Sequence, residues 1–462
     1  MTEQLIDMGL DVPFAMTKGT RVPAPRYFDR EFARLEDERL WSRTWQMACR
    51  LEEIPMPGDY VTYTIGDQSL IVLRLDQDTI RAYSNACRHR GTQLAVGSGS
   101  FRGGQIACPF HGWRWNLDGT NSFVFGQEGF TESVTDPLEL CLPQAGVGTW
   151  GGCVFVNLDP DAPPLLESID PMPSLLDPLG IDLMKVVWWK AVDLPANWKL
   201  AMEAFIEGYH VMASHPQITQ GQFDEYDPNS LAYEVHAGGH SHYINRPGAQ
   251  RSHRRKIDYL DEVEALIEAS RILGEGLEAM TLPRDLAVIE TLRDRPVAED
   301  ASLGSELVKA IYEHAAQEGI ALPRLKGPDL IKWGGVFFVF PNYFVLPQYG
   351  NALCYRFRPV PGDPERCLLE LWSVSIPGAQ DEPTRPVMAG PFAPDDTEHW
   401  PLIPLQDFAN ITRQQKGVHN RTFKNTRISH VYEVGIANLH EEVDRYLALP
   451  PPADRSGAGA GS

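Results

Sequence analysis

Apolar and polar residues alternate along residues 45–159 in short runs separated by turn residues such as Pro57-Gly58 and Asp118-Gly119. Alternation over four to eight residues between such turns predicts half-buried β-strands. The runs with this pattern are Tyr60–Ile65, Ser69–Leu75, Ile80–Ser84, Gln105–Cys108 and Gly152–Asn157. We therefore expect residues 45–160 to form a small all-β domain.

The stretch before these strands has helical periodicity. Between Phe28 and Trp41, the apolar residues Phe32, Leu35 and Leu40 can share one face, and charged residues fill the other. Asp29 is placed to cap the start of this helix. We expect residues 1–44 to be a helical segment that packs on the second domain.

The pattern changes after the proline-rich residues 160–178. A strand is predicted over Lys185–Leu194 and a helix from about Asn197 to His210. Residues 217–332 are long, polar and partly helical, and we expect them to elaborate the entrance to a pocket. Further strands and helices are predicted over Asp258–Leu277, Ser305–Gln317, Val336–Phe340, Tyr343–Leu346, Ala352–Pro359, Cys367–Ile376 and Ser429–Leu449. Residues 161–450 thus form a predicted second domain, in which an antiparallel sheet packs on helices and encloses an apolar pocket. Residues 451–462 are rich in Gly, Ala and Ser and are predicted to be disordered.

The overall charge is acidic, with 41 basic against 62 acidic residues and a net charge of −21. Such a surface argues against nucleic acid and anionic membranes as partners. The seven cysteines are an odd number without the spacing of a disulfide framework. The N-terminus lacks the basic and apolar regions of a signal peptide, and no apolar run is long enough to span a membrane. These features predict a cytoplasmic protein.

Cysteine and histidine recur in two short motifs, Cys87-Arg88-His89 and Cys108-Pro109-Phe110-His111. Each half offers one thiolate and one imidazole, which is the ligand set of a Rieske [2Fe–2S] centre. Gly91 and Gly112 follow the two motifs and allow the backbone to approach a cluster closely. A structural zinc site is the main alternative, but zinc modules usually keep their two cysteines together and their two histidines together. A chance pattern of core residues is the remaining alternative.

A second group of candidate ligands lies at the end of the predicted helix 197–210. His210 and His215 can reach one metal ion if the helix is broken between them, and Glu207 lies one helical turn before His210. On residue types alone, two histidines near a helix end are more often hydrogen-bonded structure than a metal site.

Together these stretches resemble the Rieske non-haem iron oxygenases, in particular the alpha subunit of aromatic-ring-hydroxylating oxygenases. The resemblance rests on the Cys/His stretch, on Asn197-Trp198-Lys199 followed by an acidic helix and His-x4-His-Pro, and on the order of the two motifs. It covers nearly the whole chain. It implies an α+β fold, with a small all-β Rieske domain and a helix-grip catalytic domain. It also implies that Cys87, His89, Cys108 and His111 bind a [2Fe–2S] cluster.

The same resemblance implies that His210 and His215 bind a mononuclear Fe(II), which needs one carboxylate to complete a 2-His-1-carboxylate triad. Asp407 fits the late motif of the family, whereas Asp395, Asp396 and Glu398 lie in an acidic, proline-rich run typical of a solvated loop. The alternative for Asp407 is a helix N-cap.

In the family, a carboxylate at the position of Glu207, usually Asp, connects a Rieske histidine of one subunit to an iron-ligand histidine of its neighbour. The longer Glu leaves its partner open. The alternative for Glu207 is an exposed charge on the helix surface. Ala204 is a further departure, since many relatives place Asn there.

The resemblance implies a terminal oxygenase component that activates O2 with electrons from NAD(P)H. The electrons would come through a separate flavin reductase, with or without a ferredoxin, because the chain has no dinucleotide fingerprint. We expect ring hydroxylation or dihydroxylation of an apolar or aromatic small molecule, as in aromatic hydrocarbon catabolism. The alternatives are a monooxygenase for oxidative O- or N-demethylation and a Rieske electron carrier without oxygenase activity. A homotrimer, alone or with a small beta subunit, is implied. Phe205 and Val211 are predicted pocket residues from their place beside the iron ligands, and the sequence does not identify the substrate.

Overall fold

The structure is a computed structural model, which describes residues 12–16, 19–220, 228–246, 258–296, 302–382 and 384–451. The strands are β1 (Arg21–Pro23), β2 (Gln46–Arg50), β3 (Asp59–Ile65), β4 (Gln68–Arg74), β5 (Ile80–Ser84), β6 (Ser98–Ser100), β7 (Gln105–Ala107), β8 (Arg114–Asn116), β9 (Asn121–Phe123), β10 (Gln144–Trp150), β11 (Cys153–Asn157), β12 (Lys185–Leu194), β13 (Leu231–Val235), β14 (Ser241–Asn245), β15 (Val336–Val339), β16 (Tyr343–Gln348), β17 (Asn351–Val360), β18 (Asp363–Ser375), β19 (Ala389–Phe392) and β20 (Asn425–Arg427). The α-helices are α1 (Arg30–Leu35), α2 (Leu165–Ser168), α3 (Met172–Leu176), α4 (Trp198–Ile206), α5 (Val211–Ser214), α6 (Pro216–Gln220), α7 (Tyr259–Leu277), α8 (Pro283–Glu290), α9 (Leu303–Glu318), α10 (Gly327–Leu330), α11 (Leu402–Val418) and α12 (Val434–Leu447).

Two compact units account for the described residues. The first contains Arg34–Ser168 and residues 446–451, and the second contains residues 12–33 and Ile169–Arg445. The predicted domain limits at residues 44, 160 and 450 stay predictions. The tail that was expected to be disordered lies outside the described residues from residue 452 onward.

The first unit is built on β-sheets. A seven-stranded sheet has the order β2-β11-β10-β5-β4-β3-β6, and β7-β8-β9 form a separate three-stranded sheet. All neighbouring strands pair antiparallel. The apolar side chains between them form a core that includes Ile71, Tyr83, Ile106 and Trp115. The alternating pattern of residues 45–159 thus correctly predicted an all-β unit.

The second unit is built on an eight-stranded sheet with the order β13-β14-β15-β16-β17-β18-β12-β19. Only the pairing of β12 with the edge strand β19 is parallel. Helix α4 packs against β15, β17, β18 and α11. This sheet-on-helix arrangement, together with the all-β first unit, confirms the predicted α+β fold class.

Several predicted elements differ in their limits. The predicted helix at Phe28–Trp41 becomes the short helix α1, which continues as a π-helical turn over Glu36–Trp41. Asp29 caps it as expected, since its Oδ1 accepts a hydrogen bond from the backbone N–H of Phe32 at 2.9 Å. The region 217–332 contains the hairpin β13–β14, which the sequence did not predict. Within the described ranges, no helix has both the length and the apolarity needed to cross a lipid bilayer.

Candidate active site

The two Cys/His motifs fold into loops with matching backbone hydrogen bonds. In the first loop, the N–H of Gly91 donates to the carbonyl of Cys87 at 2.9 Å, and in the second the N–H of Gly112 donates to Cys108 at 3.0 Å. Both glycines have positive φ angles, +72° and +71°, which side chains rarely adopt. The repetition of one turn in two loops explains why each motif pairs a cysteine and a histidine with a glycine.

The ends of these loops suit a bound iron–sulfur cluster. The thiols of Cys87 and Cys108 lie within hydrogen-bonding distance of one another, and backbone N–H groups point at both sulfur atoms. Such N–H groups stabilise negative charge on sulfur. The rings of His89 and His111 lie with their centroids 4.7 Å apart. The Nδ1 atom of His89 is buried and has no hydrogen-bond partner among the described residues, as expected for a nitrogen that binds a metal.

Aromatic residues cover one side of these loops. The ring of Trp113 stacks on His89 at a centroid distance of 4.7 Å and an interplanar angle of 8°. Trp113 and Trp115 are both buried, and Trp115 Nε1 donates to the carbonyl of Leu140 at 2.7 Å. The two tryptophans therefore anchor the second loop and keep water away from the His89 side of the site.

The second group of ligands forms where helix α4 ends. The helix stops at Ile206, four residues earlier than the sequence predicted, because Glu207 adopts an extended conformation with φ −129° and ψ 162°. Its carboxylate accepts hydrogen bonds from the backbone N–H groups of Tyr209 and His210. The helix therefore breaks before His210 rather than between the two histidines as expected, and the residues between them form the short helix α5.

His210, His215 and Asp407 converge on one point. Asp407 Oδ1 lies 3.0 Å from Nε2 of His215 and 3.8 Å from Nε2 of His210. The three ligand atoms therefore lie within 4.8 Å of one another, as a common metal ion requires. Asp407 lies on α11, five residues after the helix begins, and Pro401 occupies the N-cap position, so the N-cap alternative for Asp407 is wrong.

The Nδ1 atom of each histidine is hydrogen-bonded to a different side chain. Nδ1 of His210 lies 2.8 Å from Oε1 of Glu207, and Nδ1 of His215 lies 2.8 Å from Oε1 of Gln406. Gln217 makes a reciprocal amide pair with Gln406, with Nε2–Oε1 distances of 2.8 and 3.2 Å. An acceptor at Nδ1 fixes the tautomer that leaves Nε2 free for a metal. The sequence analysis did not identify Gln406 or Gln217 as site residues, although Gln406 directly precedes Asp407.

The charge around these histidines suits a cation. Burial alone would lower the pKa of His210, but its hydrogen bond to Glu207 and the charges of Glu207 and Asp407 raise the pKa overall. The site therefore stabilises positive charge where the two Nε2 atoms meet. Two neutral imidazoles and one carboxylate with open positions are the ligand set of non-haem Fe(II). The residues fit the iron that the fold family implies.

A cavity of about 770 Å³ opens on these ligands. Its walls are mostly apolar and come from the ends of the sheet strands and from α7 and α9 within region 217–332, the part expected to elaborate the entrance. Phe205 and Val211, the two predicted pocket residues, both line this cavity, and so does Ala204. The ring of Phe205 lies 4.8 Å from that of Tyr355, another lining residue. The volume suits a small organic molecule.

A Rieske-type loop pair in one unit and a two-histidine, one-carboxylate site in the other define a class, the Rieske non-haem iron oxygenases. Comparison with known proteins supports this class. Residues 44–124 match the Rieske [2Fe-2S] domain family, and residues 181–449 match the family described as ring hydroxylating alpha subunit (catalytic domain).

The chain belongs to the ring-hydroxylating alpha subunit family. Its Rieske domain binds a [2Fe–2S] cluster, and its catalytic domain binds a mononuclear iron. The matched catalytic domain argues against the remote alternative of a Rieske electron carrier without oxygenase activity.

The similarity to individual proteins covers less of the chain than the match to the family. The chain is 30% identical over 197 residues to the glycine betaine monooxygenase oxygenase subunit of Pseudomonas aeruginosa. The aligned residues cover 43% of this chain and 45% of that protein. It is 35% identical over 188 residues to the 2-aminobenzenesulfonate 2,3-dioxygenase subunit alpha of Alcaligenes sp, covering 40% and 47%. The chain thus matches only about half the length of these relatives.

Among solved structures, the quaternary ammonium Rieske monooxygenase CntA in complex with L-carnitine matches over 93% of this chain and 97% of that chain, with a TM-score of 0.63. The sequence identity is 17%, so this similarity concerns the fold alone.

Proposed function

We propose that this chain is the terminal oxygenase component of a multicomponent system and that it oxidises an N-methyl group of a small molecule, releasing formaldehyde. The observation that carries the oxygenase reading is the convergence of His210, His215 and Asp407 at the wall of a 770 Å³ apolar cavity. We place the cluster on Cys87, His89, Cys108 and His111 and the mononuclear iron on the triad. The finer division into residues 1–44, 45–160 and 161–450 is part of this proposal.

The two metal centres, when bound, supply the electron transfer and the O2 activation that the side chains alone lack. The protein residues supply orientation and exclusion of water. Glu207 and Gln406 each accept a hydrogen bond from the Nδ1–H of one histidine. Both Nε2 atoms are thereby oriented toward one point. The apolar walls around this point keep bulk water from the reacting carbon.

The reaction consumes one O2, two electrons and two protons. One oxygen atom enters the N-methyl group to give a carbinolamine, the other leaves as water, and the carbinolamine splits into the amine and formaldehyde. Electrons come from NAD(P)H through a separate flavin reductase, with or without a ferredoxin. We also propose a homotrimer, alone or with a small beta subunit, in which Glu207 connects His210 to a neighbouring subunit's Rieske histidine.

The choice of an N-methyl substrate is supported by two observations. Two of the relatives described above are named for quaternary ammonium substrates. In this chain, the aromatic side chains of Phe205 and Tyr355 both line the cavity that opens on the ligands. Aromatic faces attract quaternary ammonium cations.

Oxygenation of an aromatic ring is the second candidate and was the main expectation from the sequence. It is favoured by the mostly apolar walls and by the similarity to a 2-aminobenzenesulfonate dioxygenase. A role in aromatic hydrocarbon catabolism remains a prediction.

A single-turnover experiment separates the two candidates. The purified protein, with its cluster reduced, is mixed with 18O2 and with either trimethylammonium compounds or aromatic compounds, and the products are analysed by mass spectrometry. We expect 18O in formaldehyde, measured after rapid trapping because exchange with water removes the label. Two labelled oxygens in one ring product would instead establish a dioxygenase. Absence of any substrate-dependent oxidation of the reduced cluster across both sets would contradict the oxygenase proposal.

A further inference from the structure

A second set of metal-binding side chains lies on the hairpin β13–β14. Glu234 and His242 are directly opposite in the antiparallel pairing, so their side chains share one face of the hairpin. His236 follows Glu234 by two residues and lies just beyond the end of β13, on the same side. Tyr243, which lines the 770 Å³ cavity, follows His242 and faces the other way. The three donors therefore lie on the face turned away from the active-site cavity.

The distances between these donors suit a metal ion. Nε2 of His236 lies 2.9 Å from Nδ1 of His242, and the two rings are almost parallel, at 6°. Glu234 Oε2 lies 3.9 Å from the other ring nitrogen of His242. One ligand atom from each residue falls within 4.8 Å of the other two. For metal–nitrogen bonds of about 2.0–2.1 Å, two neighbouring ligands at a right angle are about 2.9 Å apart.

Both imidazoles are ready to donate a lone pair at neutral pH. Burial lowers the pKa of His242 to about 4 and also lowers that of His236. Neither ring has to lose a proton overall before a metal binds, which removes one cost of metal binding, and the proton in the 2.9 Å contact only has to move to an outer ring nitrogen. Without an ion, the 2.9 Å contact holds a single shared proton between the two rings.

The surrounding charges are compatible with a cation. The carboxylates of Glu234 and Asp170 act on His236, whereas Lys332 is the cation that acts on His242. The ammonium of Lys332 is paired with Asp329 at 2.9 Å, which reduces its repulsion. Phe337 lies parallel to His242 at 5.2 Å and holds its ring in place. Glu234 has an exposed side chain and can turn toward an incoming ion.

We propose that Glu234, His236 and His242 form a second metal site that binds one borderline divalent cation of the Ni2+, Cu2+ and Zn2+ class. Two imidazoles and one carboxylate select such ions over Mg2+ and Ca2+, which prefer oxygen ligands. Water completes the coordination on the exposed side. The site is separate from the mononuclear iron and holds β13 and β14 together, since its ligands come from both strands.

Ni2+ is the probe for this site. The iron-loaded holoprotein is dialysed against increasing Ni2+, and nickel and iron are measured together by elemental analysis. We expect one nickel per chain with unchanged iron content. The variant His236→Ala should bind Ni2+ at least about tenfold more weakly, since it removes one of three ligands.

His399→Ala is the matched control. His399 is paired with a carboxylate, Asp396, at 2.9 Å, but the described residues offer it no third donor. This variant should retain the nickel. His242→Phe, which keeps a ring against Phe337, is the second test variant, and its folding is checked by circular dichroism and iron content.

Three results would overturn the proposal. One is a lack of Ni2+ binding at millimolar concentration. Another is nickel binding that His236→Ala and His242→Phe leave unchanged. The third is nickel uptake only at the expense of iron, which would place the nickel on the active-site triad. The proposal does not depend on the catalytic activity, so it can fail while the proposed function holds.

Discussion

Gln406 is predicted to control iron binding although it is not one of the three residues that converge on the predicted iron position. Its Oε1 accepts from Nδ1 of His215 at 2.8 Å and from Nε2 of Gln217 at the same distance. Gln406→Leu keeps a side chain of similar size but removes the acceptor. We expect the variant to fold, to keep its cluster and to bind the mononuclear iron more weakly.

The size of the expected loss in iron affinity depends on which hydrogen-bond donor, His215 or Gln217, is destabilised more when the Gln406 acceptor is removed. Leaving a buried donor unpaired costs about 1–3 kcal/mol. Gln217 is half-buried, so water can replace its lost bond, whereas the His215 side chain is only 3% exposed. The loss at His215 therefore dominates. Removing a group that orients a metal-bound histidine typically weakens binding about 10–100-fold. This corresponds to about 1.4–2.8 kcal/mol.

The assay is a competition for Fe(II) between the protein and a chelator of known affinity, followed by the iron-to-protein ratio. The visible absorption of the Rieske cluster serves as an internal standard, because its candidate ligands lie in the other unit. Gln406→Glu restores an acceptor and should recover iron affinity. Gln217→Leu leaves the Gln406 carbonyl in place and should lower the affinity only about 2–5-fold, below the range for loss of the orienting group.

The reasoning would be refuted if Gln406→Leu retained wild-type iron affinity while folded. It would also be refuted if Gln217→Leu lost as much affinity as Gln406→Leu, because the amide pair rather than the His215 contact would then be responsible.

Three further predictions follow from the same structure. Asp407→Ala should abolish mononuclear iron binding while the Rieske absorption persists, and full iron content in this variant would show that another residue completes the site. Glu207→Gln should keep both metals but slow the oxidation of the reduced cluster by at least about tenfold, which stopped-flow absorption with substrate and O2 can measure; an unchanged rate would contradict a coupling role. Glu370→Gln should destabilise the protein by about 3–5 kcal/mol, because it removes the carboxylate charge that pairs with the buried Arg356 at 2.7 Å. Burial alone would raise the pKa of Glu370, but Arg356 and Arg358 lower it to about 2, so its contribution is complete above pH 4.5 and is lost as the pH falls toward 2; equal urea midpoints for the wild type and Glu370→Gln at pH 7 would contradict this.

The first and last residues of a strand were predicted well where the residues along it are continuously buried or alternate between buried and exposed. Strand β12 begins and ends at the predicted residues, Lys185 and Leu194, and most of its residues are partly or fully buried. The hairpin β13–β14 was missed because its residues, such as His236, His240 and His242, give no clear period in hydrophobicity. Strand β14 is instead defined by its pairing with β15, about a hundred residues later in the chain, and β13 by its pairing with β14.

The end of helix α4 shows a limit of a different kind. The residues up to His210 are compatible with a continuing helix, and only Gly208 disfavours it. The helix stops at Ile206 because the Glu207 carboxylate satisfies the N–H groups of the next turn and its Oε1 holds His210. A side chain that serves both the backbone and a metal site decides this boundary, and propensity alone does not include such a contact.

The candidate ligands could be identified from local motifs, but the groups that orient them could not. Cys87, His89, Cys108 and His111 lie in two short motifs, and His210 and His215 are five residues apart. Gln406 lies 191 residues from His215, and its role depends on the packing of α11 beside α4. Contacts at that separation follow from the tertiary fold and leave no spacing pattern in one sequence.

The difference between the two orienting groups sets the charge of the site. Glu207 is a carboxylate behind His210, and Gln406 is a neutral amide behind His215. With Asp407, the site then carries two negative charges around neutral imidazoles, which matches one divalent iron. A carboxylate in place of Gln406 would add a third negative charge and favour the trivalent state. The neutral acceptor therefore orients His215 without adding a negative charge to the site.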